Sequence, residues 1–336
     1  MKVADLLAQR QHQWQELDDL CDAVNWRSAK KMGAERLSNF ASLYRSACAD
    51  LALADSYNLP PDTVEYLHRL VGRAHSRLYR TRRFQITAWI TVLTFDAPRQ
   101  ILLDRYFWFM FIFFYGTFMV SAYLAYESTF FPDYHTQIVG EEALISFEAM
   151  YTDPIGSKES GIGMKSDMAG FYINHNTGIG LVCFVTGILI IPGIVTTLFN
   201  AAFLGAVFGY MARPDVPMTD NFFEFVTAHG PFELTAIVLA ASGGLRLGLS
   251  WVNTNGLTRK ASLQKAGRRC IPIIGLSILF FVFAAIIEGF ISPSDLSYSF
   301  KATVAVGSAL FIAFYILVLG LLSALGIVKG EQYAIR

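Results

Sequence analysis

His229 and Glu233 stand four residues apart, a spacing that puts an imidazole and a carboxylate on one face of a helix. Pro231 between them is tolerated only in a first turn, so that helix is expected to begin at His229 or Gly230. Glu288 falls near the end of a second apolar run, and Asn174, His175 and Asn176 fall at the start of a third. The run directions bring all six residues to one membrane depth. Ionisable and amide groups at that depth are costly and require a partner or a water-filled space. They therefore form a candidate polar ligand site that could bind a cation, relay protons or grip a polar head group. The plainer alternative is that Glu233 pairs with His229 or an asparagine and only fixes helix packing.

Other chemistries find little support. The chain has no His-Glu-x-x-His, no Cys-x-x-Cys pair, and no Gly-x-Gly-x-x-Gly or Walker pattern, so no metal, cofactor or nucleotide site is expected. No nucleophile with a neighbouring base stands out, and catalytic residues are expected to be absent. Cys21, Cys48, Cys183 and Cys270 read as packing residues. Asn200 and Gly205 in one run, and Gly243, Gly244 and Gly248 in another, read as smooth or hydrogen-bonding faces for helix packing. Arg246, thirteen residues beyond Glu233, and Arg259 are expected to reach lipid head groups.

The elements that must position these residues follow from composition. Of 336 residues, 54% are hydrophobic and 16% charged, with 27 basic and 27 acidic side chains, and most of the charge precedes Arg105. Those proportions suit an all-α, polytopic membrane bundle with a helical amino-terminal domain rather than a soluble globular chain. Six apolar runs are long enough to span: Tyr106 to Ala125, Phe171 to Ile190, Gly193 to Met211, Phe232 to Trp251, Ile271 to Ile291 and Ala302 to Val328. Before them, residues 1–83 carry three amphipathic helical patterns. The first is interrupted by Arg10, and the other two, joined through Pro60 and Pro61, are expected to pack Val64, Leu67, Val71 and Leu78 against Leu37, Phe40, Tyr44 and Leu51. Residues 84–105 read as an interfacial amphipathic helix between the domain and the spans at 106–328.

Loop charge orients the bundle. Asn253 to Cys270 carries five basic residues and no acid, as a cytoplasmic loop should, whereas the loop 127–170 holds eight acidic residues and only Lys158 and Lys165. Six crossings then put both termini, including the tail 329–336, in the cytoplasm of a bacterial inner membrane. Met1 to Arg36 is charged throughout, and no cleaved signal peptide is expected. The basic helix face of Arg69, Arg73, Arg77 and Arg80 suits lipid head groups or an acidic partner.

Several stretches together resemble the stage II sporulation protein M family: FASLYR from Phe40 and YLHRLVGRAHSRLYR from Tyr66, then FYINHN from Phe171, LFNAAFLGAV from Leu198, HGPFELTAI from His229, GLRLG from Gly244 and IEGFISP from Ile287. His175 departs from the asparagine expected there. The resemblance implies an integral membrane protein without an established catalytic site and an envelope-related role that depends on assembly. The family's namesake works with peptidoglycan hydrolases during engulfment, and many relatives accompany a MoxR-type AAA ATPase. The expected partners are therefore membrane lipid, other envelope proteins, such an ATPase and a second copy of the chain, with no nucleic acid. A non-catalytic scaffold is the favoured reading. The alternative is a permease-like or lipid- or ion-binding protein that uses the polar site, and an intramembrane metal-dependent hydrolase ranks below both.

Overall fold

A computed structural model describes residues 3–23, 34–57, 59–78, 86–127, 129–155 and 162–327, and every regular element among them is helical. The chain divides into two compact units, Met1–Gln85 and Ile86–Arg336. Arg80, Lys158, Lys165 and the tail 329–336 lie outside what is described at side-chain level.

The first unit contains α1 (Val3–Ala23), α2 (Ala34–Ser56) and α3 (Pro61–Leu78), each packed on the other two. Pro61 begins α3 because a first turn leaves its missing N–H without consequence. The seam buries Phe40, Ala47, Leu67, Leu70 and Ala74, and α1 adds Trp14, Leu17 and Cys21, so the expected two-helix hairpin is a three-helix core. Tyr44, Leu51, Val64, Val71 and Leu78 pack at its margin, whereas Leu37 is 48% exposed and does not belong to the seam. Arg10 breaks the apolar stripe of α1 for a reason that lies on α2. It pairs with the fully buried Asp50, whose other oxygen accepts a 2.9 Å hydrogen bond from Trp14 Nε1.

The second unit opens with α4 (Ile86–Thr91), a π-helical segment (Val92–Asp96) and α5 (Ala97–Leu102). This stretch packs into the bundle, with Val92, Ala97 and Ile101 buried. Tyr315 donates to Leu93 O, and Ser323 Oγ donates to Phe95 O at 2.9 Å. These bonds satisfy carbonyls that the π-helical geometry leaves less regularly paired.

α6 (Arg105–Tyr126) leads to α7 (Tyr134–Val139) and α8 (Glu141–Met150), which turn about Gly140 at φ +89°. The acidic stretch 127–170 is therefore largely folded rather than an open loop. Val139, Leu144 and Tyr151 share a core with Val207 and Met211, and Tyr210 donates its hydroxyl to Glu148. Then come α9 (Ile162–Ile188), α10 (Ile191–Met211), α11 (Thr219–Val226), α12 (Gly230–Val252), α13 (Arg259–Phe290), α14 (Tyr298–Ala313), a π-helical turn (Phe314–Leu319) and α15 (Gly320–Ala324).

Five of the described helices are long and apolar enough to cross a membrane: α6, α10, α12, α13 and the continuous Tyr298–Ala324. α9 has 27 residues, but Asn174, His175 and Asn176 dilute its apolar character; it packs against α10, α12 and α13, so its place in the bundle comes from packing rather than hydropathy. The α9–α10 hairpin is complete, with Ile190 at φ +65° in a tight reversal and Pro192 in the first turn of α10. The stretch Asn253 to Cys270 is mostly the first half of α13, capped by Thr258 Oγ1 accepting from Ala261 N. At 32 residues and about 1.5 Å each, α13 outruns a bilayer core of about 30 Å, so its basic end lies beyond the apolar layer.

Glycines set the closeness of these helices. A methyl on Gly244 or Gly248 would run into the backbone carbonyls of Phe184 and Ile188 on α9, and one on Gly205 into Phe118 O on α6. Gly243 instead faces the Ile274 side chain.

In urea unfolding of the Met1–Gln85 unit, Leu67→Ala is expected to cost about 2 to 5 kcal/mol. Leu37→Ala should cost less than about 0.5 kcal/mol. Equal losses for the two variants would refute the assigned seam.

Candidate polar site in the helix bundle

Two helix ends, the middle of a third helix and one connection meet at the site. His229 is the residue preceding α12 and Glu233 lies in its first turn, with Pro231 at the start of the helix as the sequence requires. Glu288 lies in the last turn of α13, followed by Ser292 in the connection to α14, and Asn176 projects from the middle of α9.

The side chains converge. His229 Nε2 lies 3.6 Å from a Glu233 oxygen, and His229 Nδ1 lies 3.0 Å from Ser292 Oγ. Asn176 Nδ2 donates to Glu288 Oε2 at 3.1 Å. One ligand atom from each of His229, Glu233 and Glu288 falls within 4.8 Å of the other two. His229, Asn176, Glu288 and Ser292 are buried, and Glu233 is nearly so.

Asn174 and His175 do not join them. Both are exposed, and His175 stacks on Phe171 at a 5.9 Å centroid separation. Successive helical residues point about 100° apart, so a triplet cannot present all three side chains to one site.

Two neighbours escaped the sequence reading. Tyr151, just past α8, is buried, and burial pushes its phenol above the usual range; the nearby Tyr172, Glu288 and Glu233 add to the shift, so the hydroxyl keeps its proton. Lys301, in the first turn of α14, is fully buried and donates to Ser294 O at 2.7 Å, Ser292 O at 3.0 Å and Glu224 Oε1 at 3.2 Å. A lysine one residue before an apolar run was the available signal. Its ammonium is committed to those three oxygens, and among the described residues Glu233 and Glu288 have no Lys or Arg partner.

Beyond this cluster the described interior is mostly apolar. Phe232, Phe280 and Phe281 pack below it together with Ala236, Ile237 and Leu239. The deeper hydroxyls are bonded to backbone carbonyls: Ser277 to Ala236 O, Ser242 to Leu239 O, Thr197 to Gly193 O and Ser121 to Ala202 O. Asn200 Oδ1 is buried without a hydrogen-bond partner among the described residues. A cleft of about 350 Å³ beside α6 and α14 is lined chiefly by apolar groups, including Phe107, Trp108, Phe111 and Ile316.

Arg246 does not reach for lipid. It pairs with buried Asp104 and lies over the Tyr106 ring at 5.5 Å, while Asp104 Oδ1 also caps α6 by accepting from Tyr106 N at 2.9 Å. An acid buried at the start of α6 needs a cation, and among the described residues Arg246 forms the ion pair with it. Arg259 is exposed and lies over the Trp251 ring, as an interfacial cation can.

Apolar helices around a small buried polar cluster define a multi-pass α-helical membrane protein. The family model for stage II sporulation protein M matches residues 107–293, more than half of the sequence, and the chain belongs to that family. Residues 4–80, including the FASLYR and YLHRLVGR stretches, match a separate domain of unknown function, DUF8413, so the family match is confined to the membrane unit. No curated protein and no solved structure matches the chain.

Arg246→Ala is expected to lower stability in detergent by roughly 3 to 5 kcal/mol by stranding the Asp104 charge. Replacing the pair together, as Asp104→Asn with Arg246→Met, should recover part of that loss. A double variant no more stable than the single one would show that the pair is not the cause.

Proposed function

We propose that this protein is a non-catalytic assembly component of the cell envelope, seated in the bacterial cytoplasmic membrane, with a helical amino-terminal unit that docks partner proteins. The apolar packing next to the cluster supports this reading. The polar residues stop at one end of α12, and the next layers are aromatic and aliphatic, with their hydroxyls tied to carbonyls. A permease needs polar groups along a path, so this packing favours a scaffold over the transport alternative.

The basic side of α3 is the proposed docking surface. Arg69 and Arg77 are exposed there, and the family resemblance suggests a MoxR-type AAA ATPase as one partner. Both termini are proposed to be cytoplasmic, because the basic end of α13 carries Arg259, Lys260, Lys265, Arg268 and Arg269.

Three measurements test the proposal. In a cysteine-free background, a membrane-impermeant thiol reagent applied to intact cells should label a cysteine at Thr152 and spare one at Gln264; the reverse pattern would overturn the orientation. In proteoliposomes containing a pH-sensitive dye, a valinomycin-induced potential should drive no more proton flux with the protein than without it. Meanwhile, a photo-crosslinker at Arg77 in cells should give discrete protein adducts that one at the exposed, apolar Leu321 does not. Flux that scales with protein, or the same crosslinks at both positions, would defeat the scaffold reading.

A further inference from the structure

We propose that His229, Glu233 and Glu288 form a binding site for one divalent transition-metal ion of the zinc class, which ties the start of α12 to the end of α13. The chemistry of the donors is suitable: an imidazole nitrogen with two carboxylates is a common ligand set for zinc and neighbouring ions. The geometry is close. Ligand atoms about 2.0 to 2.1 Å from a tetrahedral ion lie about 3.3 Å from one another. His229 Nε2 and Glu233 are 3.6 Å apart, and the whole set lies within 4.8 Å, so small rotations of the two glutamates close the site.

The surrounding hydrogen bonds give an independent argument. A metal-bound histidine uses its second ring nitrogen to hold its orientation, and metal-bound carboxylates are themselves hydrogen-bonded. Here His229 Nδ1 faces Ser292 Oγ at 3.0 Å, and the tautomer that donates to it leaves the Nε2 lone pair toward Glu233. Asn176 holds one oxygen of Glu288 at 3.1 Å. Each orienting group comes from an element other than that of the ligand it holds, so α9 and the connection after α13 both brace the site.

Charge completes the case. Two carboxylates in a mostly buried cluster repel each other and call for a compensating cation. The buried Lys301, which donates to the carbonyl of Ser292, directs its three hydrogen bonds to Glu224 and two carbonyls. A divalent ion would neutralise the pair directly. Sequence spacing alone fixes no coordination geometry, because His229 and Glu233 make only two ligands and the third lies 55 residues beyond Glu233 on another helix.

The test uses the full-length protein in detergent with its affinity tag removed, stripped with a chelator, loaded with Zn²⁺ and desalted. About one zinc per chain should be retained, as expected for a single site, and excess Mg²⁺ or Na⁺ should not displace it. His229→Gln and Glu288→Gln should lower zinc affinity at least tenfold. Ser292→Ala, which keeps every ligand, should weaken it by about 10- to 100-fold through loss of the orienting bond. Ser292→Ala serves if a ligand variant fails to elute and show helical circular dichroism like the parent. The proposal is overturned if the parent protein retains no zinc, or if it retains no more than folded Glu288→Gln or Ser292→Ala. Retention of no zinc together with greater thermal stability of Glu288→Gln would assign the cluster to carboxylates sharing a proton instead.

Discussion

A charge held among apolar helices has to be paired, coordinated or neutralised, because lipid and hydrocarbon side chains offer nothing in place of water. The membrane unit meets this demand differently at three places. Asp104 and Arg246 pair and so join the start of α6 to α12. Lys301 is enclosed by two carbonyls and Glu224, which fixes the connection between α13 and α14 against α11. His229, Glu233 and Glu288 gather at the opposite end of α12 from Arg246, separated by about 20 Å of helix. Each arrangement links segments far apart in sequence, so these few ionisable groups set the register of helices whose apolar surfaces alone would tolerate several.

Between the charged ends, packing works through closeness. Lipid tails are as apolar as leucine, so helix association in a membrane relies on van der Waals contact and small residues rather than on release of water. Gly244 and Gly248 let α12 touch the backbone of α9, the helix that also carries Asn176. Phe232, Phe280 and Phe281 then pack with Ala236, Ile237 and Leu239 in the apolar core of the bundle.

The candidate site was only partly visible in the amino-acid order. His229 and Glu233 were legible because four-residue spacing on a helix is geometry that any sequence exposes. Asn174 and His175 were taken along with Asn176 because depth can be read from a sequence and facing direction cannot without knowing what surrounds the helix. Arg246 looked like a lipid-facing cation for the same reason: its partner Asp104 precedes it by 142 positions, and both match the composition of a membrane edge. Tyr151 and Ser292 carry no pattern of their own, and only folding places them beside the cluster.

By itself the sequence determined the class of protein, through apolar run lengths that suit a bilayer, glycines at helix-packing intervals and an amphipathic amino-terminal region with proline at a helix start. Each of these depends on neighbours within a few turns. Tertiary structure decided everything that depends on distant partners. It made Arg10 the partner of buried Asp50, turned the acidic stretch after α6 into packed helices, and left α9 in the bundle despite its polar triplet. It also joined Glu288 to His229 and Glu233. The physical reason is that a side chain's free energy depends on what it touches, and local spacing specifies contacts only along the helix on which a residue lies.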